Sequence, residues 1–285
     1  MTTFDRSQLP TRREALTAGL AAAAALALGR SAFAAPASNS PYGPFKMGLQ
    51  SYSLRGLKAN GKPDLDKALQ ATKDLGLTYW ESYVAHFPID AKRALEFKEK
   101  AASFGVSVIG YGVLGFKNDH DANRKIFEFA KAMGLGYLSA DPSPDSFDSL
   151  DKLVEEYGVA IGIHNHGPGH RYDTIDKIAA AIKNHHKLVG CCVDTGHFLR
   201  SKEDPVRAVE VFGERTYGVH LKDVKDAKTF TVLGKGDLRT VDLLKALAKI
   251  KYSYCLAVEY EENESNPVGE IAECLAAARA AVEKI

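Results

Sequence analysis

Residues 159–166 read Val-Ala-Ile-Gly-Ile-His-Asn-His and residues 189–197 read Val-Gly-Cys-Cys-Val-Asp-Thr-Gly-His. Each is a short apolar run that stops abruptly in polar, titratable residues, and a longer amphipathic segment separates the two. Working outward in both directions, the same unit recurs. Further β-like runs stand at Lys46 to Tyr52, Thr78 to Tyr83, Val106 to Tyr111, Gly136 to Ala140, Tyr217 to Leu221 and Tyr254 to Glu259. The first two β-like runs quoted span Val159 to His164 and Val189 to Val193, which makes eight. Between them lie helical spacings, such as Leu65, Ala68, Leu69 and Thr72 ahead of Gly76, and Val241, Leu244, Leu247 and Ile250 ahead of the last strand. Eight strand–helix pairs in about 240 residues predict a single closed (β/α)8 TIM barrel of the α/β class. An open doubly wound sheet is the competing architecture, but no Gly-x-Gly-x-x-Gly turn follows the first strand.

The chain has 285 residues, with 37 Lys+Arg against 36 Asp+Glu and 45% hydrophobic residues, a composition that excludes a disordered or collagenous polymer. Its formal charge of +1 offers no basic footprint for nucleic acid. Residues 1–35 differ from everything after them. Thr11-Arg12-Arg13-Glu14-Ala15-Leu16 sets paired arginines ahead of an apolar run from Leu16 to Leu28, and Ala32-Phe33-Ala34 supplies a small-x-small cleavage pattern before Ala35. This resembles a twin-arginine export signal, which implies cleavage, export to the periplasm or beyond, and the twin-arginine machinery as a partner. The apolar run is shorter than the ~20 residues of a membrane span, so no stable membrane anchor is expected. Four arginines (Arg6, Arg12, Arg13, Arg30) oppose Asp5 and Glu14 in the leader, so the remaining chain is one charge on the acidic side of neutral. Residues 36–44 read as a linker and residues 45–285 as the barrel domain.

In a barrel of this kind the chemistry gathers where strands end and βα loops begin. Strand five ends in His164-Asn165-His166, strand six in Asp194-Thr195-Gly196-His197, strand seven in His220-Leu221-Lys222-Asp223 and strand eight in Glu259-Tyr260-Glu261. Residues two apart share a face of a strand. Gly162 and His164, Cys192 and Asp194, Gly218, His220 and Lys222, and Ala257 and Glu259 each share one face. Four consecutive strands thereby aim His164, Asp194, His220 and Glu259 at one centre. Two imidazoles with two carboxylates suit a divalent ion such as Mn²⁺, Zn²⁺ or Co²⁺ better than Ca²⁺, with Mg²⁺ as a further option.

At these residues the chain resembles the xylose-isomerase-like TIM barrels, the group of sugar isomerases, epimerases and inosose dehydratases. The matching pieces are CVDTGH (192–197), GVHLKD (218–223), LGKGD (233–237) and LAVEYE (256–261), and the resemblance covers essentially all of the chain after the leader. It implies one divalent metal ion on strands five to eight, with Asp194, His220 and Glu259 as ligands and His197 and Lys222 close to substrate. It also implies metal-polarised isomerisation of a sugar, keto-sugar or cyclitol through an enediolate, with Glu259 as the main base and Lys222 and His197 beside it. Many members carry a Glu on strand five where this chain has Ile163-His164-Asn165-His166. A two-base epimerase needs that Glu, so an isomerase or a water-eliminating dehydratase is the stronger expectation. The second acid or base is left open among Lys222, His197 and His166.

Other residues complete the reading. Glu81 is placed either on substrate hydroxyls or behind a ligand, and Gln50 and Tyr52 are placed on one face of strand one, toward the pocket, with packing the equal alternative for Tyr52. Gly167-Pro168-Gly169-His170-Arg171 reads either as a loop able to cover the site, with Arg171 available to an anionic group, or as a solvated loop. Trp80 is assigned to the outer face and His185-His186 to the surface. Four cysteines, with Cys191 and Cys192 adjacent, read as buried reduced thiols, which suits an export route for folded chains. A phosphodiesterase of the same barrel is disfavoured by charge, an export signal disfavours phosphorylated substrates, and a sugar-binding barrel without catalysis is the remaining alternative. Oligomeric state is not legible.

Overall fold

The computed structural model describes residues 40–285. Eight parallel strands close into a barrel: β1 (Lys46–Gln50), β2 (Tyr79–Tyr83), β3 (Ser107–Phe116), β4 (Tyr137–Pro142), β5 (Ala160–His164), β6 (Val189–Asp194), β7 (Thr216–Leu221) and β8 (Cys255–Val258). Each pairs with its neighbours in sequence, and β1 pairs with β8 to close the ring. The outer ring comprises α1 (Leu65–Asp74), α2 (Ala94–Ser103), α3 (His120–Met133), α4 (Phe147–Tyr157), α5 (Ile175–Ile182), a short α6 (Thr195–Arg200), α7 (Pro205–Phe212), α8 (Thr240–Lys249) and α9 (Val268–Val282). No helix among the described residues is long and apolar enough to cross a membrane. The leader and residues 36–39 of the expected linker lie outside the described residues.

Helix boundaries follow from capping chemistry. Asp64, Asp119 and Asp204 accept first-turn N–H groups of α1, α3 and α7, and Pro205 opens α7 where its missing donor costs nothing. Gly134 and Gly158 end α3 and α4 in the left-handed region, at φ 76° and 68°. Between strands and helices lies the main apolar layer, which includes Trp80, Phe97, Phe127 and Phe129, all fully buried. Inside the barrel the packing is different. Tyr137 fills the lower interior, and any Cβ at Gly110 or Gly218 would overlap its ring. Those two glycines let a tyrosine stand where a barrel usually stacks aliphatic side chains.

Several boundaries depart from the sequence reading. β1 stops at Gln50, because the Gln50 side chain accepts the Tyr52 N–H at 3.0 Å and starts a 3-10 turn over Ser51–Leu54. Tyr52 therefore does not share a strand face with Gln50; it packs edge-on against Tyr83, with the Arg55 guanidinium over its ring. β3 and β4 run on to Phe116 and Pro142, and Glu259 sits one residue past β8. Residues 41–44 form a turn that buries Tyr42 in the core, so this end of the expected linker belongs to the folded body. Two short antiparallel ribbons, Lys58–Ala59 with Lys62–Pro63 and Asp223–Lys225 with Thr229–Thr231, were not read from the sequence.

Candidate active site

The strand period brings His164, Asp194, His220 and Glu259 together at the carboxyl end of the barrel, all four buried. One ligand atom from each lies within 4.8 Å of all the others. His220 Nδ1 stands 2.9 Å from Glu259 Oε2 and 3.7 Å from Asp194 Oδ2, and His164 Nε2 is 3.0 Å from His220 Nδ1 and 3.4 Å from Asp194 Oδ2. Asp194 Oδ2 and Glu259 Oε2 are buried and converge on this point, and the positive or protonatable groups within reach of them are His164, His220 and Lys222. Two buried carboxylates this close repel each other and need positive charge between them. A cation at their common focus satisfies both, and the two imidazole nitrogens facing the same point complete a mixed N/O set fit for a first-row divalent ion.

Local structure fixes each ligand. Asp194 ends β6 and caps α6, its Oδ1 accepting the His197 N–H at 2.7 Å, which turns Oδ2 to the centre. Asn165 grips the Asp194 backbone with both ends of its amide, at 2.8 Å each, and locks β5 to β6 at this level. His220 is held from behind. Its Nε2 bonds Glu81 Oε1 at 3.0 Å, leaving Nδ1 toward the centre. Glu81 also accepts from Gln50 Nε2 at 2.9 Å, Tyr137 Oη at 2.5 Å and Ser139 Oγ at 2.5 Å. Of the two roles open to Glu81, the geometry gives the one behind a ligand: four protein donors occupy it, and Gln50 is spent on holding it, so neither buried side chain faces a substrate. His164 lacks such support, since its Nδ1 has no partner among the described residues.

Lys222 lies across the centre. Its ammonium is 3.0 Å from Asp194 Oδ2, 3.2 Å from Glu259 Oε2 and 2.5 Å from Glu261 Oε1. Burial would lower its pKa, but Asp194, Glu259 and Glu261 outweigh burial and raise it, so Lys222 is a fixed cation. The reverse holds for the acids. Burial pushes the Glu259 carboxyl up, yet Lys222 and His220 overcome this and bring it to about 2. Asp194 is likewise held well below the ordinary range against its burial, first by Lys222 and then by His197. Burial depresses His197 to about 4, with Asp194 pulling the other way, and burial together with the neighbouring histidines depresses His166 to about 3. Both imidazoles are neutral at physiological pH.

Residues 69–280 match the model of the xylose isomerase-like TIM barrel family. The chain belongs to that family. An inosose dehydratase of Clostridium botulinum is 30% identical over 146 residues, 44% of this chain and 48% of that protein. The rhizopine catabolism protein MocC of Rhizobium meliloti is 30% identical over 139 residues, 42% of each chain. This xylose isomerase-like barrel thus spans about half the length of the curated relatives it matches. The structure of an L-ribulose 3-epimerase superposes with a TM-score of 0.66 over 84% of this chain and 95% of the other, at 16% identity, a likeness of fold alone.

Some members of the site were not singled out in the sequence. Glu261 is the closest partner of Lys222, and Phe230 roofs the site from the second ribbon, 5.0 Å from Lys222 Nζ and edge-on to His197 at 5.5 Å. Arg200 donates to His197 Nδ1 at 3.3 Å from the last turn of α6. The LGKGD segment of this xylose isomerase-like barrel touches no ligand. Its backbone wraps the Asp223 carboxylate, which accepts the N–H groups of Gly234, Gly236 and Leu238 as well as Val224. Arg171 is tied to the Pro142 carbonyl at 2.9 Å.

Proposed function

We propose that this protein is an exported, divalent-metal-dependent enzyme that moves a proton on the carbon next to a carbonyl in a non-phosphorylated sugar or keto-sugar, with isomerisation as the outcome. The observation that carries the reading is the convergence of two imidazoles and two buried carboxylates at one point. His164, Asp194, His220 and Glu259 would hold the ion, which when bound supplies Lewis-acid polarisation of a substrate carbonyl and neighbouring hydroxyl. Glu259, whose Oε2 stands 2.9 Å from His220 Nδ1 and 3.2 Å from Lys222 Nζ, is the proton acceptor within this cluster. Lys222, fixed among three carboxylates, contributes positive charge beside the reacting carbon rather than a transferable proton. His197, neutral and reached by Arg200 on Nδ1, keeps Nε2 for the second proton transfer. His166 lies beside it, with ring centroids 5.9 Å apart.

A second reading is β-elimination of water from a cyclitol ketone or a 3-keto-glycoside. It is favoured by the similarity to proteins named inosose dehydratases and by His164, which leaves one carboxylate base where inversion at a carbon uses two. The test is solvent deuterium uptake by keto-sugars and inososes in D₂O, followed by NMR, with protein carrying a measured metal content. Uptake at the carbon next to the carbonyl, lost on chelation and in Glu259→Gln, is the expected result; an isomerised product supports the first reading and an enone-type product the second. Clean inversion at one carbon, with neither rearrangement nor water loss, would overturn both.

A further inference from the structure

A second cluster of metal-ligand type stands directly above the first. Ser139 and Asp141 share a face of β4, because side chains two apart along a strand point the same way, and His166 lies two residues past the end of β5 with its ring 4.7 Å from that of His164. Ser139 reaches Glu81, so Asp141 projects on the same side one pleat further along β4, and His166 comes beside it from the segment that follows β5. His170 returns to them through the βα5 loop. Gly169 adopts φ +87°, which favours glycine, and its N–H bonds Asp173 Oδ2 at 2.8 Å. The residues after His170 then seize the end of β4: Arg171 Nη1 and Tyr172 Oη both donate to the carbonyl of Pro142, at 2.9 and 2.7 Å. The bonds flanking His170 and Asp141 thus press the two together, with His170 Nε2 3.5 Å from Asp141 Oδ2 and the His166 and His170 rings 4.3 Å apart.

We propose that Asp141, His166 and His170 form a second divalent-cation site, separate in its ligands from the first. One donor atom from each lies within 4.8 Å of the other two. Each residue also carries a buried atom without a hydrogen-bond partner among the described residues: Asp141 Oδ1, His166 Nδ1 and His170 Nδ1. An Asp–His ion pair does not account for this, since it leaves His166 outside and exceeds hydrogen-bond length. Two imidazoles and one carboxylate select Zn²⁺, Co²⁺ or Ni²⁺ over Mg²⁺ and Ca²⁺. Three protein ligands leave a coordination position open. His170 and Asp141 keep 36% and 29% side-chain exposure, so water or a substrate hydroxyl can enter that position.

The experiment is titration of the chelator-stripped, purified protein with Zn²⁺ and with Co²⁺ by calorimetry, with bound metal counted by mass spectrometry. About two equivalents are expected in the parent protein and about one in His170→Ala, with the remaining one lost on adding Glu259→Gln. Glu259→Gln alone should keep about one equivalent, held at the second site. Asp141→Asn, nearly isosteric, repeats the His170→Ala measurement if circular dichroism shows that variant misfolded. About one equivalent in the parent, unchanged in both His170→Ala and Asp141→Asn, would falsify the second site and leave the first intact. One equivalent lost in His170→Ala but kept in Glu259→Gln would uphold the second site and remove the first.

Discussion

Glu81 shows how one buried side chain governs a site it does not face. Its two oxygens accept from Gln50, Tyr137, Ser139 and His220, so it is saturated and immobile. Burial raises its pKa, but the His220 charge and the hydrogen bonds lower it overall, which keeps it an acceptor. Through the Nε2 bond it fixes the orientation of the His220 ring, so that Nδ1 is the nitrogen that would give up its proton to an ion. Glu81→Gln puts an amide NH₂ among four donors, so at least one loses its acceptor. We expect a stability loss of about 1–3 kcal/mol and a metal affinity lower by roughly 10–100-fold, read by thermal melting and Zn²⁺ calorimetry. Unchanged affinity in a folded variant would show that Glu81 only packs. The convergence of His164, Asp194, His220 and Glu259 was legible from strand period alone. The choice of role for Glu81 was not, because it depends on Tyr137 and Ser139, more than fifty positions away, and on glycines that let Tyr137 enter the barrel.

At the level of elements, alternation of apolar runs and amphipathic segments was enough to count eight strands, since each must bury one face against its neighbours and the other against a helix. Ends were less legible. Tyr52 continues the β-like pattern of Lys46 to Gln50, but a local side-chain bond from Gln50 outcompetes the ladder. The ribbon at Asp223–Lys225 and Thr229–Thr231 was hidden for a related reason: its order comes from the Asp223 carboxylate gathering N–H groups from positions up to fifteen residues on. That loop holds Phe230 over Lys222 and His197. Asp223→Ala strands four backbone donors, three of them in one loop, and is expected to cost roughly 3 kcal/mol. Asp119→Ala, which removes one ordinary helix cap on α3, should cost about 1 kcal/mol. Urea unfolding of the two variants side by side checks the ordering, and equal losses would mean that the 233–238 loop is held by packing rather than by Asp223.

For the whole molecule, the export proposed above makes the order of folding and transport matter. β1 pairs with β8, so the ring cannot close until the last strand has been made, and the ligands on β5 to β8 come together only then. All four cysteines are free and buried, with burial raising the Cys191 and Cys192 thiols. A chain that threaded unfolded into an oxidising compartment would expose those thiols before the barrel could cover them. Folding and metal loading inside the reducing cytoplasm, followed by export of the finished barrel, avoid that exposure, and metal bound to the native state alone adds to its stability. This is the physical case behind the proposal of a twin-arginine route, for which Arg12 and Arg13 would be the signal. With both arginines replaced by lysine, we expect the protein to remain in the cytoplasm, folded, with its leader uncleaved. Fractionation and intact mass decide it: processed protein outside the cytoplasm at the parent level would rule out the twin-arginine route and, with it, the argument that this barrel is finished before it leaves.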